Sequence, residues 1–174
     1  MDDAPVAAAP LIVTLTLDPY TQERFDRLRR EHFPVERNHL AAHVTLFHQL
    51  PGAEVDVVQA DLARACMRAP IGVTVTGVRY LGRGVAYALS SSELLELRAG
   101  LAASWAHWLT PQDRSPYAPH LTVQNKVAPE RARALHQQLS TSFAPATVLG
   151  LGLALWHYRG RPWEHVSDHA FATP

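Results

Sequence analysis

Two short phrases of this chain carry the residue types that acid–base chemistry needs: "HVTL" at 43–46 and "HLTV" at 120–123. Side chains alternate faces along a strand, so His43 and Thr45 share one face, as do His120 and Thr122. On a strand rising ~3.3 Å per residue, the Cα atoms of each pair stand about 6.6 Å apart. An imidazole and a hydroxyl at that separation can reach one tetrahedral anion. Imidazole titrates at about pH 6.5, so one of two histidines can be neutral while the other is protonated. A base and an acid are what phosphodiester cleavage requires: one activates the attacking oxygen, the other protonates the departing one. Threonine hydroxyls can donate to the non-bridging oxygens. No metal is needed in principle.

The bare triplet is a weak signal. Ten histidines and eleven threonines would yield roughly 0.6 such triplets by chance. The position of the two phrases says more. Each opens an apolar strand, and each is followed by a helix start. Before the first, "LIVTLTL" (11–17) reads as a strand, and Asp18 with Pro19 as a helix N-cap and first position. Phe25, Leu28 and Phe33 mark that helix, and Pro34 stops it. After the first phrase, Pro51-Gly52 ends the strand, and Val55, Val58, Leu62 and Cys66 recur at helical spacing. "IGVTVTGVRYL" and "GVAYALS" form a hairpin turning at Gly82-Arg83-Gly84. Ser90 and Glu93 suggest a capping box, ahead of a stripe of Leu94, Leu97, Leu101, Trp105 and Trp108. "TPQDRSPYAP" (110–119) reads as a breaker-rich connection. After the second phrase, Ala128-Pro129-Glu130 opens a helix with Leu135, Leu139 and Phe143. A last hairpin turns near Gly160.

Written as elements, a first strand precedes the same unit twice: helix, strand, helix, strand, strand. His43 aligns with His120, and "RYLGRG" (79–84) aligns with "HYRGRP" (157–162). An internal duplication is the economical explanation, with a period too long for a solenoid. The expected fold is α+β, a single domain over 1–174 with a pseudo-twofold axis. One lobe spans about 18–89, the second about 90–171, and the strand 11–17 stands apart. Antiparallel sheets should line a central cleft, with helices outside.

Composition narrows the partner. Sixteen basic and sixteen acidic residues cancel, whereas proteins that track long nucleic acids carry a basic excess. A small ligand or a short oligonucleotide end is expected, and no long duplex. The single cysteine, Cys66, excludes an internal disulfide and reads as a buried thiol. "MDDAPVAAAP" lacks the basic start and apolar core of a signal peptide, and no apolar run approaches a membrane span. A cytoplasmic location is expected; oligomeric state is left open.

The paired H-x-T-apolar phrases and the duplicated α+β units resemble the 2H phosphoesterase superfamily, in its 2′-5′ RNA ligase-like branch. The resemblance runs from Leu11 to about Phe171. "YAPHLTV" (117–123) is especially similar to the family's second motif. It implies metal-independent chemistry on 2′,3′-cyclic phosphates or 2′-5′ linkages, at a nucleotide or RNA end, with no cofactor. It implies catalytic roles for His43 and His120 and phosphate binding by Thr45 and Thr122. It further suggests that His120 activates water while His43 protonates the leaving 3′ oxygen, giving a 2′-phosphate. Many relatives carry a basic residue shortly after H-x-T; here Phe47 and His48 follow one motif, and Gln124 and Asn125 the other.

Other residues have a bland reading beside the functional one. Tyr117 and Gln124 are candidate substrate contacts, Tyr117 by stacking on a base. Trp163 can stack or pack. His48 should point away from His43 on a regular strand. Lys126 shares a face with His120, but lies about 13 Å beyond Thr122 on an extended strand, suited to a substrate's far end. Arg37 and His39 precede the first motif, and Arg83 and Arg161 sit at equivalent turns; each either lines the cleft or is solvated. His157, His165 and His169 form no recognisable metal-ligand pattern. Two other function classes stay open: a binding module that holds a phosphate without turnover, and a histidine-liganded metal hydrolase.

Overall fold

A computed structural model describes residues 8–172. The first part of the N-terminal segment expected to carry no signal, residues 1–7, lies outside them. In chain order the elements are β1 (Leu11–Leu17), α1 (Pro19–His32), β2 (Val44–Leu50), α2 (Val55–Ala65), β3 (Ile71–Tyr80), β4 (Val85–Ser90), α3 (Ser92–Ser104), α4 (Pro111–Arg114), β5 (His120–Gln124), α5 (Pro129–Thr141), β6 (Ala146–His157) and β7 (Glu164–Ala170). Short 3₁₀ turns at Val35–Arg37 and Gly52–Glu54 lead into the first H-x-T segment and into α2.

Local chemistry sets the helix ends. The Asp18 carboxylate accepts the Thr21 backbone N–H at 3.0 Å and the Thr21 hydroxyl at 2.6 Å. Pro19 follows at the position where a missing N–H costs nothing. At α3 the cap is Ser91, not Ser90: its hydroxyl accepts the Leu94 N–H at 3.2 Å. Ser90 is the last residue of β4, so its backbone is committed to the sheet, and Glu93 pairs with Arg68 instead of closing a capping box. The breaker-rich connection holds one unforeseen element. Thr110 caps the four-residue α4 by accepting the Asp113 N–H at 3.3 Å.

All seven strands belong to one antiparallel sheet in the order β2-β1-β6-β3-β4-β5. The twelve-residue β6 runs beside β1 on one side. On its other side it pairs first with β3, over Ala146–Gly150, and then with β7, over Gly152–His157. The fold is α+β with antiparallel strands and helices packed outside. β2 and β5 sit at opposite edges of the sheet, yet they touch. The sheet therefore curls until its two H-x-T edges face one another.

The two sequence repeats interleave. β6 lies between β1 and β3, and β5 pairs with β4. The first helix of each repeat crosses to the other repeat's H-x-T strand. α1 lies against β5, with Phe25 edge-on to Tyr87 of β4 at 5.3 Å. α3 lies over β2, with Trp105, just past its end, edge-on to Phe47 at 5.0 Å. One continuous apolar core results, including Leu11, Val13, Val44, Leu46, Leu62, Leu94, Leu121 and Leu153. Among the described residues no helix is long and apolar enough to cross a membrane.

Candidate active site

The cleft residues are built by two matching irregularities. β1 and β2 pair Thr14 with Thr45 but Val13 with Phe47, so β2 holds one extra residue after its threonine. β4 and β5 pair Ala86 with Thr122 but Val85 with Gln124, giving the same extra residue at the same place. Such bulges shift the alternation by one. Leu46 and Phe47 are consequently both buried, as are Val123 and Gln124. Beyond each bulge the facing reverses. His48 therefore turns to the same side as His43 and Thr45, contrary to its expected place on the opposite face. In the sequence the only trace is the adjacent apolar pair Leu46-Phe47; the extra residue itself is set by the pairing with β1.

One cavity of about 220 Å³ is lined by His43, Thr45 and His48 from the β2 edge, and by His120 and Thr122 from β5. Ile12 and Trp163 complete it. Both H-x-T histidines are held in the same way. The His43 Nδ1–H donates to the Ala41 carbonyl at 2.8 Å, and the His120 Nδ1–H donates to the Ala118 carbonyl at 3.0 Å. A carbonyl can only accept, so Nδ1 carries the proton in each ring. Nε2 is then the nitrogen left for proton exchange with a ligand.

The third histidine has a different support. His48 Nδ1–H donates to Asp113 Oδ1 at 2.9 Å. The same carboxylate takes the backbone N–H groups of His48 and Gln49, each at 3.0 Å. Asp113 is 1% exposed. Burial opposes its ionisation, but the His48 ring N–H and the two backbone N–H groups hold its carboxyl below the usual range. Asp113 lies in the segment read only as a breaker-rich connection, and nothing in that segment reports that this carboxylate would meet His48.

His43 is the most perturbed member. Desolvation pushes its imidazole down to about 4, with Arg29, His120 and His48 adding positive charge nearby; the Ala41 carbonyl opposes them in part. Trp163 covers it, ring centroids 4.9 Å apart. At neutral pH His43 is uncharged.

Two buried arginines stiffen the cleft edges, and neither stood out in the sequence. Arg29 of α1 donates to Thr122 O at 2.8 Å, Leu40 O at 3.2 Å and Asn38 Oδ1 at 3.3 Å. Arg98 of α3 donates to Leu46 O at 3.3 Å and to Asp113 O. Each first helix thus sends a guanidinium to the opposite repeat's H-x-T strand. Those strands lie at sheet edges, where backbone carbonyls lack a strand partner.

The profile of the 2′-5′ RNA ligase superfamily matches residues 17–162. The chain belongs to this superfamily, the 2H phosphoesterases. Its fold is similar to that of TT0787 of Thermus thermophilus, at 16% identity and a TM-score of 0.66, over 94% of this chain and 98% of that one. It is also similar to E. coli LigT in apo form, at 20% identity and a TM-score of 0.60, over 95% and 98%. The LigT complex with 3′-AMP aligns at 20% identity and a TM-score of 0.53, over 95% and 99%. No curated protein shows significant sequence similarity to the chain.

For a 2H phosphoesterase chain, the remaining candidates fall in several places. His43, Thr45, His120 and Thr122 are brought together. Gln124 is not: it is 2% exposed, packed behind the bulge, with its Oε1 unpartnered. Tyr117 lines an adjoining cavity with Thr45, His48 and His120, where its ring stacks on the Arg98 guanidinium at 5.1 Å. His39 and Trp163 line a larger cavity of about 400 Å³ that shares His43 with the first. Pro162, beside Arg161, lines it as well, as does Trp156, whose indole N–H donates to the Thr14 hydroxyl at 2.9 Å. Arg37, Arg83 and Lys126 meet in a separate recess. The three C-terminal histidines have separate partners: His157 donates to Ala9 O, His165 pairs with Asp168, and His169 bonds Ser167.

Proposed function

We propose that this chain is a metal-independent phosphodiesterase that opens a 2′,3′-cyclic phosphate at a nucleotide or RNA end. The observation that carries this reading is the pair of identically clamped histidines. Each commits Nδ1–H to its own backbone, and each lines one cavity with its threonine. A tetrahedral phosphate held there meets two Nε2 atoms and two hydroxyls, with His48 as a third histidine at the rim.

The surroundings of His43 favour it as the base, the reverse of what family resemblance implies. A neutral Nε2 accepts a proton from water as the water oxygen bonds to phosphorus. The phosphorus–oxygen bond to one ribose oxygen breaks, and that oxygen takes a proton from the doubly protonated His120. Thr45 and Thr122 donate to the non-bridging oxygens as charge builds there. Turnover leaves the proton on His43 and a neutral His120; exchange with solvent restores both. The nucleoside is placed in the larger cavity, between Trp156, Pro162 and Trp163. Its apolar walls and volume suit a base.

The test is turnover of a panel of nucleoside 2′,3′-cyclic phosphates and 2′-5′ dinucleotides, with chelator present and the product isomer read out. Ring opening of the cyclic phosphates should persist after exhaustive chelation. Loss on chelation with recovery on adding zinc or manganese would mean a metal hydrolase, and tight binding without product would mean a phosphate-binding module.

A further inference from the structure

Three cations that lie far apart in sequence converge on one recess. Arg37 comes from the 3₁₀ turn before the first motif, Arg83 from the β3–β4 turn, and Lys126 from the segment after β5. With Asn125 they line a cavity of about 380 Å³. None of the three forms an ion pair among the described residues, and neighbouring Glu36 pairs with none of them. The chain carries no net charge, so this concentration is local rather than a general basic surface. Like charges gathered without a counter-ion repel one another; the arrangement is favourable only when an anion joins them.

The backbone is shaped to hold them there. The Val127 N–H donates to Arg83 O at 3.1 Å, and Arg83 Nε donates to Val127 O at 3.3 Å, tying the turn to the segment after β5. Gly84 permits that approach, since a Cβ there would lie 2.0 Å from the Gln124 carbonyl oxygen. Lys126 takes a left-handed φ of 60°, uncommon for a lysine, and the Asn125 side chain accepts its N–H at 2.8 Å. Arg29 joins the Arg37 side to β5 through Asn38 and Thr122.

The recess and the catalytic cavity are served by one strand: Thr122 of β5 lines the cavity, and Asn125, just past the strand's end, lines the recess. Asn125 follows the β5 bulge as His48 follows the β2 bulge, and His48 lines the catalytic cavity. Three residues separate Asn125 from Thr122, at most about 10 Å of extended chain. Long basic side chains around Asn125 can therefore meet a group one nucleotide link away from the reacting phosphate.

We infer that Arg37, Arg83, Asn125 and Lys126 form a second phosphate site, which takes the 5′-side phosphate of the nucleoside whose 2′,3′-cyclic phosphate is opened. The inference rests on the reading of the catalytic cavity above. The phosphate can be a terminal 5′-phosphate or the link to a preceding nucleotide.

The experiment compares three substrates: adenosine 2′,3′-cyclic phosphate, its 5′-phosphorylated form, and the dinucleotide ending in the same cyclic phosphate. The two with a second phosphate should have kcat/KM about tenfold higher, through KM, and the advantage should shrink with salt. R37Q/K126N should remove the advantage while leaving the unphosphorylated substrate unchanged; asparagine tolerates the left-handed backbone at 126. Arg83→Gln serves as a second variant, checked by thermal melting because Arg83 also anchors Val127. Preference for the 5′-phosphorylated mononucleotide identifies a terminal phosphate, and preference for the dinucleotide identifies a chain. Equal rates on all three substrates in the unaltered protein, or an equal loss on all three in R37Q/K126N, would overturn the site. Absence of turnover on every substrate would strike the catalytic reading instead. The second site is then read by calorimetry, where adenosine 3′,5′-bisphosphate should bind more tightly than 3′-AMP and lose that margin in R37Q/K126N; an equal affinity overturns it.

Discussion

His43 and His120 make the same backbone hydrogen bond, but His43 lies beneath Trp163 with Arg29 and His48 close by. The acid limb of kcat/KM, which reports the free protein, should accordingly lie near pH 4, well below the ordinary imidazole range. His43→Ala and His120→Ala should each lower the rate by about 10² or more, with the double variant little worse than either, because the two act as a unit. A substrate with a much better leaving group should rescue His120→Ala and leave His43→Ala slow. The opposite pattern would restore the division implied by family resemblance. His48, anchored by Asp113 at the rim of the cavity, is expected to act on binding more than on the chemical step. His48→Ala should raise KM about tenfold, and Asp113→Asn should reproduce part of that loss without removing the ring. Steady-state kinetics at saturating and limiting substrate separates the two effects.

At the level of elements, the two bulges decide which side chains face the cleft. The sequence reading placed the H-x-T pairs, because period-two alternation holds through Thr45 and Thr122. It lost His48 and Gln124 one step later, because the extra residue in each strand depends on pairing with β1 and β4. Alternation within one strand cannot report its register against another. The helix starts at Asp18 and Pro129 were legible from local chemistry. Ser91 replaced Ser90 as the cap because Ser90 is the last residue of β4 and its backbone stays in the sheet. Arg29 and Arg98 were invisible for another reason: nothing in a helix's own sequence says which distant carbonyl its arginine will meet. Their weight can be measured. Arg29→Met leaves the Thr122 and Leu40 carbonyls and the Asn38 side chain without this donor, so it should cost about 2–4 kcal/mol in urea unfolding. The same variant relaxes the Thr122 edge, so activity should fall even where the protein stays folded.

Over the whole molecule, His43 also links catalysis to stability. Its folded imidazole protonates at about 4, against about 6.5 when exposed. The unfolded chain therefore binds more protons than the folded one between these values. The His43 contribution to stability is fully present above pH 6.5 and is lost as pH falls toward 4. Thermal melts should show this loss in the unaltered protein and a shallower one in His43→Gln, with the two profiles converging in slope above pH 7. The interleaved sheet carries a different consequence, for the chain as a divisible object. A cut between Ser90 and Ser91 would leave β1, β2, β3 and β4 on one fragment and β5, β6 and β7 on the other. The first fragment then has a vacant slot between β1 and β3 that only β6 fills, and the second lacks every neighbour of β5. Each piece holds one H-x-T motif and exposes the apolar surface that the other covers. Coexpressed, the two should complement one another and reassemble the cleft across a broken chain.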